Sequence, residues 1–247
     1  MFQALNMFTH FMQKILQNIT RRACAHGKTA VLATGGLDST ALALLTASCE
    51  PRLVFAAVQS PHCQAYNKAS IHACRQVAAA LWLPLSIVPV DEKNYLKSFL
   101  RLDRILKTTY SDKDHPAAAI LFQHCQKLGI SMVISGMGSD ELFSLNARAL
   151  KTYMTATATP SVDAHRAIAR AYSIRFVCPF LHKDMLAWAL ATPLKERKNK
   201  APLRTLVTHN KTLEALLRGR PAAHSFIPDD FLKLVKTWRR HHPAPAR

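Results

Sequence analysis

The chain has 247 residues, of which 49% are hydrophobic and 19% are charged, and its formal net charge is +18. This composition argues against disorder, and no uncharged apolar run reaches the roughly 18 residues of a membrane span, so we expect a soluble protein without a membrane partner. The excess of positive charge favours polyanionic partners such as nucleotides, pyrophosphate or nucleic acid.

The first predicted element is an amphipathic helix with a basic outer face. Its large apolar residues fall on one helical stripe, which comprises Leu5, Phe8, Met12, Ile15, Leu16 and Ile19. The absence of acidic residues before Asp38 also fits a transit peptide, and the sequence leaves that interpretation open.

Four short apolar runs rich in β-branched residues follow, separated by longer helical patterns. The predicted strands are 29–33, 53–58, 85–90 and 130–135, and the predicted helices lie near 39–49, 64–82, 93–107 and 116–128. This alternation is typical of a parallel β-sheet covered by helices.

From about residue 161 onward, helical patterns replace strand signals. They lie near 161–172, 184–191, 203–217 and 229–239, with prolines between them. The predicted fold class is therefore α/β, a doubly wound parallel sheet followed by an all-helical C-terminal part. We divide the chain into an α/β domain, residues 1–155, and a helical part, residues 156–247, which we expect to complete the substrate side.

The cysteines and the basic residues of the second half suggest ordinary roles. The six cysteines form no C-x-x-C pair, which favours reduced thiols in a cytoplasmic protein. The segment from Lys195 to Arg220 is dense in lysine and arginine, and we interpret it as a solvated basic face.

A glycine-rich segment follows the first predicted strand and precedes a helix. Its sequence, T-G-G-L-D-S-T, comprises Thr34, Gly35, Gly36, Leu37, Asp38, Ser39 and Thr40. Glycines let main-chain N–H groups approach an anion, and the helix N-terminus adds partial positive charge. The hydroxyl groups can donate to phosphate oxygens. A carboxylate in such an anion site indicates a Mg²⁺ ion that bridges Asp38 and the phosphates.

A second glycine-rich segment, S-G-M-G-S-D-E-L-F from Ser135 to Phe143, follows the fourth predicted strand. Gly136 and Gly138 allow close approach of a nucleotide, and Asp140 is placed to bind metal. Ligands of open α/β sheets gather at the carboxyl ends of the strands. We therefore expect both segments to converge on one ATP molecule, with Asp38 and Asp140 as partners around Mg²⁺.

These segments resemble motifs of a known family. T-G-G-L-D-S-T is similar to the S-G-G-x-D-S pyrophosphate loop of the N-type ATP pyrophosphatases, the PP-loop superfamily. S-G-M-G-S-D-E-L-F resembles a segment of the asparagine synthetases and β-lactam synthetases. P-F-L from Pro179 and K-A-P-L-R from Lys200 resemble the P-F-L-D and K-x-x-L-R motifs of that branch. The chain thus resembles the synthetase domain of asparagine synthetase, which has further relatives among the lasso-peptide cyclases.

The resemblance implies a sheet of the adenine nucleotide α-hydrolase type, HUP, and ATP-dependent amide formation with Mg²⁺. A substrate carboxylate would attack the α-phosphate, releasing pyrophosphate, and ammonia or an amine would capture the acyl-adenylate, releasing AMP. The implied site residues are Leu32 and Gly136 at the adenosine, residues 34–40 at the pyrophosphate, Asp38 and Asp140 at Mg²⁺, and the catalytic Lys200 at the α-phosphate.

The sequence departs from the family pattern where amine chemistry is expected. Met137 stands in place of a glutamate, and His182 stands in place of the aspartate after P-F-L. Phe2 replaces the nucleophilic cysteine of a glutaminase domain, so we expect no glutamine hydrolysis by this chain. The amine would come from free ammonia, a separate glutaminase, a pathway partner or a second substrate, and the carboxylate would be a small molecule or a peptide.

Two other functions stay open. A tRNA-modifying PP-loop enzyme would adenylate RNA with the same first loop, and the net charge suits RNA. Against it, the G-S-D-E-L-F segment resembles the synthetase branch. A catalytically degenerate nucleotide-binding protein would keep the first loop and lose the chemistry, as Met137 suggests. The amide-forming ligase is the leading interpretation.

Overall fold

The computed structural model describes residues 2–106, 113–217 and 229–241. Within these ranges the chain forms one five-stranded sheet in which every pair of neighbouring strands is parallel. The strands are β1 Thr29–Leu32, β2 Arg52–Val58, β3 Leu85–Val90, β4 Met132–Ile134 and β5 Arg175–Val177. Their order across the sheet is β3-β2-β1-β4-β5. The predicted α/β class with a doubly wound parallel sheet is confirmed.

Thirteen α-helices lie in the described ranges. They are α1 Phe2–Cys24, α2 Leu37–Thr46, α3 Gln64–Ala80, α4 Glu92–Leu106, α5 Asp114–Lys127, α6 Ser139–Ser144, α7 Ala147–Tyr153, α8 Thr159–Arg170, α9 Lys183–Ala191, α10 Leu194–Arg197, α11 Ala201–Thr208, α12 Lys211–Leu217 and α13 Asp229–His241. A π-helical segment, Met154–Ala158, joins α7 to α8, and a 3₁₀ turn, Lys198–Lys200, joins α10 to α11. None of these helices is both long and apolar enough to cross a membrane.

The C-terminal part differs from the sequence prediction in two places. The sequence predicts an all-helical segment after residue 155, whereas β5 lies there and pairs with β4. The predicted helix 203–217 is two helices, because the chain turns after α11 and Asn210 accepts from the Leu213 N–H at 3.1 Å to start α12. Helices α6 and α7 are not among the predicted elements.

The side chains of the central strand β1 alternate between two hydrophobic cores. Ala30 faces a core that it shares with α4, α5, α8 and α13. Val31 faces the opposite core, which α1, α2, α3, α9 and α11 cover. The apolar stripe predicted on α1 packs into this second core, where Met12 and Leu16 are fully buried. Both faces of the sheet are therefore covered.

The strand order places a crevice between β1 and β4. The chain passes from β1 to β2 and β3 on one side, then returns across β1 to β4 and β5 on the other. In doubly wound sheets such a reversal leaves a gap outside the carboxyl ends of the two central strands, where ligands bind. The two glycine-rich segments follow β1 and β4, so the fold brings both to this gap.

Candidate active site

The segment after β1 forms a tight turn that leads into α2. Gly35 has a φ of +68°, a conformation that costs glycine little, and Gly36 is the N-cap of α2. The Ser39 hydroxyl accepts from the Thr34 N–H at 3.1 Å and donates to the Gly36 carbonyl at 3.2 Å. The Thr40 hydroxyl is buried without a hydrogen-bond partner among the described residues. The hydroxyl of Ser39 thus braces the turn, while the N-terminus of α2 faces the crevice.

The segment after β4 lies against the first turn. An added Cβ at Gly136 would lie 3.3 Å from the Cβ of Asp38, so a side chain there would press on α2. Gly138 has a φ of +84°, and an added Cβ would lie 2.1 Å from Cδ2 of Leu181, the last residue of the P-F-L segment. Three of the four predicted motifs therefore meet at the crevice.

Lys200 joins the two segments. Its Nζ lies 2.6 Å from Oδ2 and 2.8 Å from Oδ1 of Asp38, and 2.8 Å from Oδ1 of Asp140. The side chains of Lys200 and Asp38 are 18% and 22% exposed, whereas that of Asp140 is 81% exposed. The predicted catalytic lysine and the two predicted metal ligands are therefore one cluster, open to solvent on the Asp140 side.

The ionisation of this cluster is governed by burial and by the ion pairs. Burial raises the pKa of the Asp38 carboxyl, although Lys200 and the Ser139 hydroxyl act in the opposite direction. Burial alone lowers the pKa of Lys200, but Asp38 and Asp140 outweigh it and hold the pKa above its ordinary value. Lys200 is therefore a cation at neutral pH, and it offsets the cost of a partly buried carboxylate.

The backbone at Lys200 is unusual. Asn199 and Lys200 both have φ near 57° and lie in the left-handed region, which is unfavourable by roughly 1–2 kcal/mol for each residue with a Cβ. The Arg204 Nε donates to the Asn199 carbonyl at 3.1 Å, and α11 begins directly after Lys200. The K-A-P-L-R segment thus supplies both the ammonium group of Lys200 and, through Arg204, a hydrogen bond to the strained turn that carries Lys200.

One charged residue of the site was not predicted. The sequence places Arg197 on a solvated basic face, but its side chain is 1% exposed and donates to the main-chain carbonyls of Leu142, Leu145 and Thr192. For Arg197 the prediction of a solvated face is wrong. Residues 218–220 of that face lie outside the described residues. No sequence signal distinguishes Arg197 from its exposed neighbours Lys195 and Lys198.

The two aspartates fit a magnesium site that has only two protein ligands. Among the described residues no group of three or more His, Cys, Asp or Glu side chains could hold a metal ion. Mg²⁺ at nucleotide sites usually takes one or two carboxylates and completes its shell with phosphate oxygens and water. Asp38 and Asp140 converge on one point, the Lys200 Nζ, so they can supply that pair of carboxylates. The predicted adenosine contacts, Leu32 and Gly136, lie at the ends of β1 and β4 on either side of the crevice.

Comparison with known proteins decides the family. A family model described as asparagine synthase matches residues 11–168, more than half of the chain. The chain belongs to the asparagine synthase family. The matched residues include both glycine-rich segments and end before Lys200. Among solved structures, NMN synthetase from Francisella tularensis is similar over 97% of each chain, with 13% identity and a TM-score of 0.42. No curated protein matches the chain.

Met137 and His182 stand at two positions where the sequence departs from the motifs of the asparagine synthase family. Met137 is partly buried and packs against the core that Ala30 faces, and its thioether cannot take a proton. His182 caps α9, because its Nδ1 accepts from the Asp184 N–H at 3.3 Å. An aspartate at a helix N-cap accepts the same bond. The change at position 182 therefore preserves the start of α9.

Proposed function

We propose that the chain is an ATP-dependent amide-forming ligase that activates a carboxylate as an acyl-adenylate and releases pyrophosphate. The observation that carries the proposal is the position of Lys200, whose Nζ lies within 2.8 Å of both Asp38 and Asp140 at the crevice between β1 and β4. A cation and two acidic groups at this point suit a triphosphate bound with Mg²⁺. Membership of the asparagine synthase family agrees with this use of ATP.

Each group of the cluster has a part in the proposed activation step. The turn from Thr34 to Thr40 and the N-terminus of α2 hold the β- and γ-phosphates through main-chain N–H groups. Asp38 and Asp140 would hold Mg²⁺, which would offset the charge of the triphosphate. Lys200 lies beside them and stabilises the charge that builds up on the α-phosphate and the leaving pyrophosphate, the kind of electrostatic effect that usually contributes most to such reactions.

The second half of the proposed reaction is amide formation. Ammonia or an amine attacks the acyl carbon of the adenylate, the amide bond forms, and AMP leaves. Met137 offers no base for the amine proton. We therefore propose that the amine arrives with its own proton acceptor, either on a second substrate or on a pathway partner such as a separate glutaminase. The carboxylate is a small molecule or a peptide.

Isotope exchange between pyrophosphate and ATP tests the activation step. With a panel of carboxylates and Mg²⁺, we expect exchange that depends on the acid supplied. Asp38→Asn and Lys200→Ala are each expected to abolish exchange and AMP release, because each removes one charge of the cluster. Wild-type rates in either variant would contradict the assignment. Nucleotide binding without exchange for any acid would favour a degenerate ATP-binding protein instead.

A second candidate, RNA adenylation, has one observation in its favour and one against. The exposed Lys28, Lys127, Arg170 and Arg175 lie at the amino edge of the sheet, together with Trp82, which is 93% exposed. Basic side chains and an exposed aromatic ring suit single-stranded nucleic acid. This edge is opposite the crevice, however, so an RNA base held there would be a full strand length from Lys200. The ligase is therefore the better supported function.

A further inference from the structure

The buried guanidinium of Arg197 connects two parts of the site. Its Nη2 donates to the Leu145 carbonyl at 2.6 Å, its Nη1 donates to the Leu142 carbonyl, and its Nε donates to the Thr192 carbonyl at 3.3 Å. Burial lowers the pKa of Arg197, but a guanidinium keeps its proton in proteins. A full positive charge is therefore held in the interior by main-chain carbonyl groups.

The first two carbonyls belong to the C-terminal end of α6. The last carbonyls of a helix have no partner within the helix, and the helix dipole favours a cation at this end. The first turn of the same helix carries Asp140, and its N-cap Gly138 packs on Leu181. Arg197 therefore fixes the far end of the short helix that presents Asp140.

The same residue also anchors the turn that presents Lys200. Arg197 lies three positions before Lys200 in the chain, so their Cα atoms are at most about 10 Å apart. Asn199 and Lys200 adopt the left-handed conformation within this stretch. The turn therefore has a fixed contact on each side: Arg197 before it, and Arg204, which donates to the Asn199 carbonyl, after it.

We infer that Arg197 is a positioning residue that holds the Lys200 ammonium against Asp38 and Asp140 by tying the turn 198–200 to the end of α6. The contacts above support this effect on the position of Lys200, and the effect on the reaction rate rests on the proposed function. Lysine in place of Arg197 would keep the charge but lose the fork that reaches two carbonyls at once. A shift of Lys200 by about 1 Å can lower a rate by about 100-fold.

The first test measures the position of Lys200 without any activity. Limited acetylation with acetic anhydride, read by mass spectrometry, is applied to the wild type, Arg197→Lys and Arg197→Gln. Lys195, whose side chain is 82% exposed, serves as the internal reference beside Lys200 at 18%. We expect the acetylation rate of Lys200 relative to Lys195 to rise severalfold in both variants. An unchanged ratio in folded variants would overturn the inference.

The second test measures pyrophosphate–ATP exchange in the same variants. We expect the maximal rate of Arg197→Lys to fall about 10- to 100-fold while the KM for ATP changes by less than about threefold, because the first loop is untouched. Lys195→Met is the matched control and should retain the wild-type rate. A proportional loss of rate and ATP affinity, or the failure of both Arg197 variants to fold, would make Arg197 a purely structural residue and overturn the inference. If the wild type shows no exchange, the proposed function fails, while the acetylation result still decides the role of Arg197.

Discussion

At the scale of single residues, the site depends on two aspartates that share one ammonium group. Lys200 lies within hydrogen-bond distance of both Asp38 and Asp140, which places it at the point where a divalent cation would also be attracted. If the proposed function is right, the ammonium would compete with a metal ion when no nucleotide is present. This competition gives a prediction that needs no substrate.

Replacing Lys200 by methionine should raise the affinity of the nucleotide-free protein for Mn²⁺. The two carboxylates would lose their cation and would bind a divalent ion in its place, and we expect a dissociation constant at least about tenfold lower, equal to about 1.4 kcal/mol. Electron paramagnetic resonance of free Mn²⁺ measures the change. The double variant Asp38→Asn/Lys200→Met is the control and should lose the gain. Equal or weaker Mn²⁺ binding by Lys200→Met would count against a metal site at these residues.

Gly138 offers a second test at the residue scale, with Gly129 as its matched control. Both have positive φ values, +84° and +70°, but an added Cβ overlaps Leu181 at Gly138 and meets nothing within 4 Å at Gly129. Alanine at Gly129 should lower the free energy of unfolding by about 1 kcal/mol, from the backbone alone. Alanine at Gly138 should lower it by about 1–3 kcal/mol more, because of the overlap.

Urea unfolding of the two alanine variants measures the difference. The double variant Gly138→Ala/Leu181→Ala should recover part of the added loss relative to Leu181→Ala alone, since the overlapping atoms are gone. Equal losses at the two glycines would show that Leu181 does not press on the second segment.

The sequence predicted which residues come together in this site, but it did not predict the contacts that hold them in place. Glycines and an aspartate at the ends of two strands, with a lysine from a familiar motif, were enough to predict that Asp38, Asp140 and Lys200 belong together. Arg197 could not be found this way, because its burial depends on where the carbonyls of α6 end in space. The sequence also gives no signal for the left-handed turn at Asn199 and Lys200, since neither residue is a glycine.

At the scale of elements, predictions succeeded where a segment is long or strongly apolar. The predicted strand 85–90 has the bounds of β3, and the other three predicted strands are within two residues of β1, β2 and β4. β5 is not predicted because the exposed Arg175 interrupts its apolar run, whereas β4, which is equally short, is buried along its whole length. Its hydrogen bonds with β4 decide its conformation, and such pairing is not visible in a local pattern.

The contact between α5 and α8 should make stability depend on pH. His115 Nε2 lies 2.9 Å from Nδ1 of the buried His165, and His115 is 2% exposed. Burial, and then the charge of His165, lower the pKa of His115 from 6.5 to about 3. Below pH 6.5 the unfolded chain therefore binds a proton that the folded chain does not bind. Stability from this residue is complete above pH 6.5 and is lost progressively as the pH falls toward 3.

Urea unfolding at pH 7.5 and 5.5 measures this effect. His115 should contribute a loss of about 1.4 kcal/mol in the free energy of unfolding between the two pH values. The variant His115→Gln should be less stable at pH 7.5 but should show a pH dependence smaller by that amount. The same pH dependence in His115→Gln would rule out His115 as its source.

At the scale of the whole molecule, the candidate active site does not explain the excess of positive charge. The chain has 33 basic and 15 acidic side chains. The parallel strands all begin at one edge of the sheet. The helices that cover them run antiparallel to the strands and end at that same edge. Basic residues near those ends, such as Lys28, Lys127, Arg170 and Arg175, therefore collect at the amino edge, away from the crevice. Cations at helix ends also stabilise the helix dipole, so stability alone could select some of them.

Binding of a fluorescent single-stranded oligonucleotide at several salt concentrations separates these two roles. The triple variant Lys28→Gln/Lys127→Gln/Arg175→Gln should bind more weakly, and its slope of log affinity against log salt should be smaller by about 2, since each phosphate contact contributes about 0.7. A matched variant with glutamine at the exposed Lys183, Lys195 and Lys198 carries the same loss of charge elsewhere. If both triple variants lose affinity equally, binding follows net charge and the amino edge is no special surface. If the first loses more while pyrophosphate–ATP exchange stays at the wild-type rate, the molecule has a polyanion-binding face that is independent of the proposed ATP site.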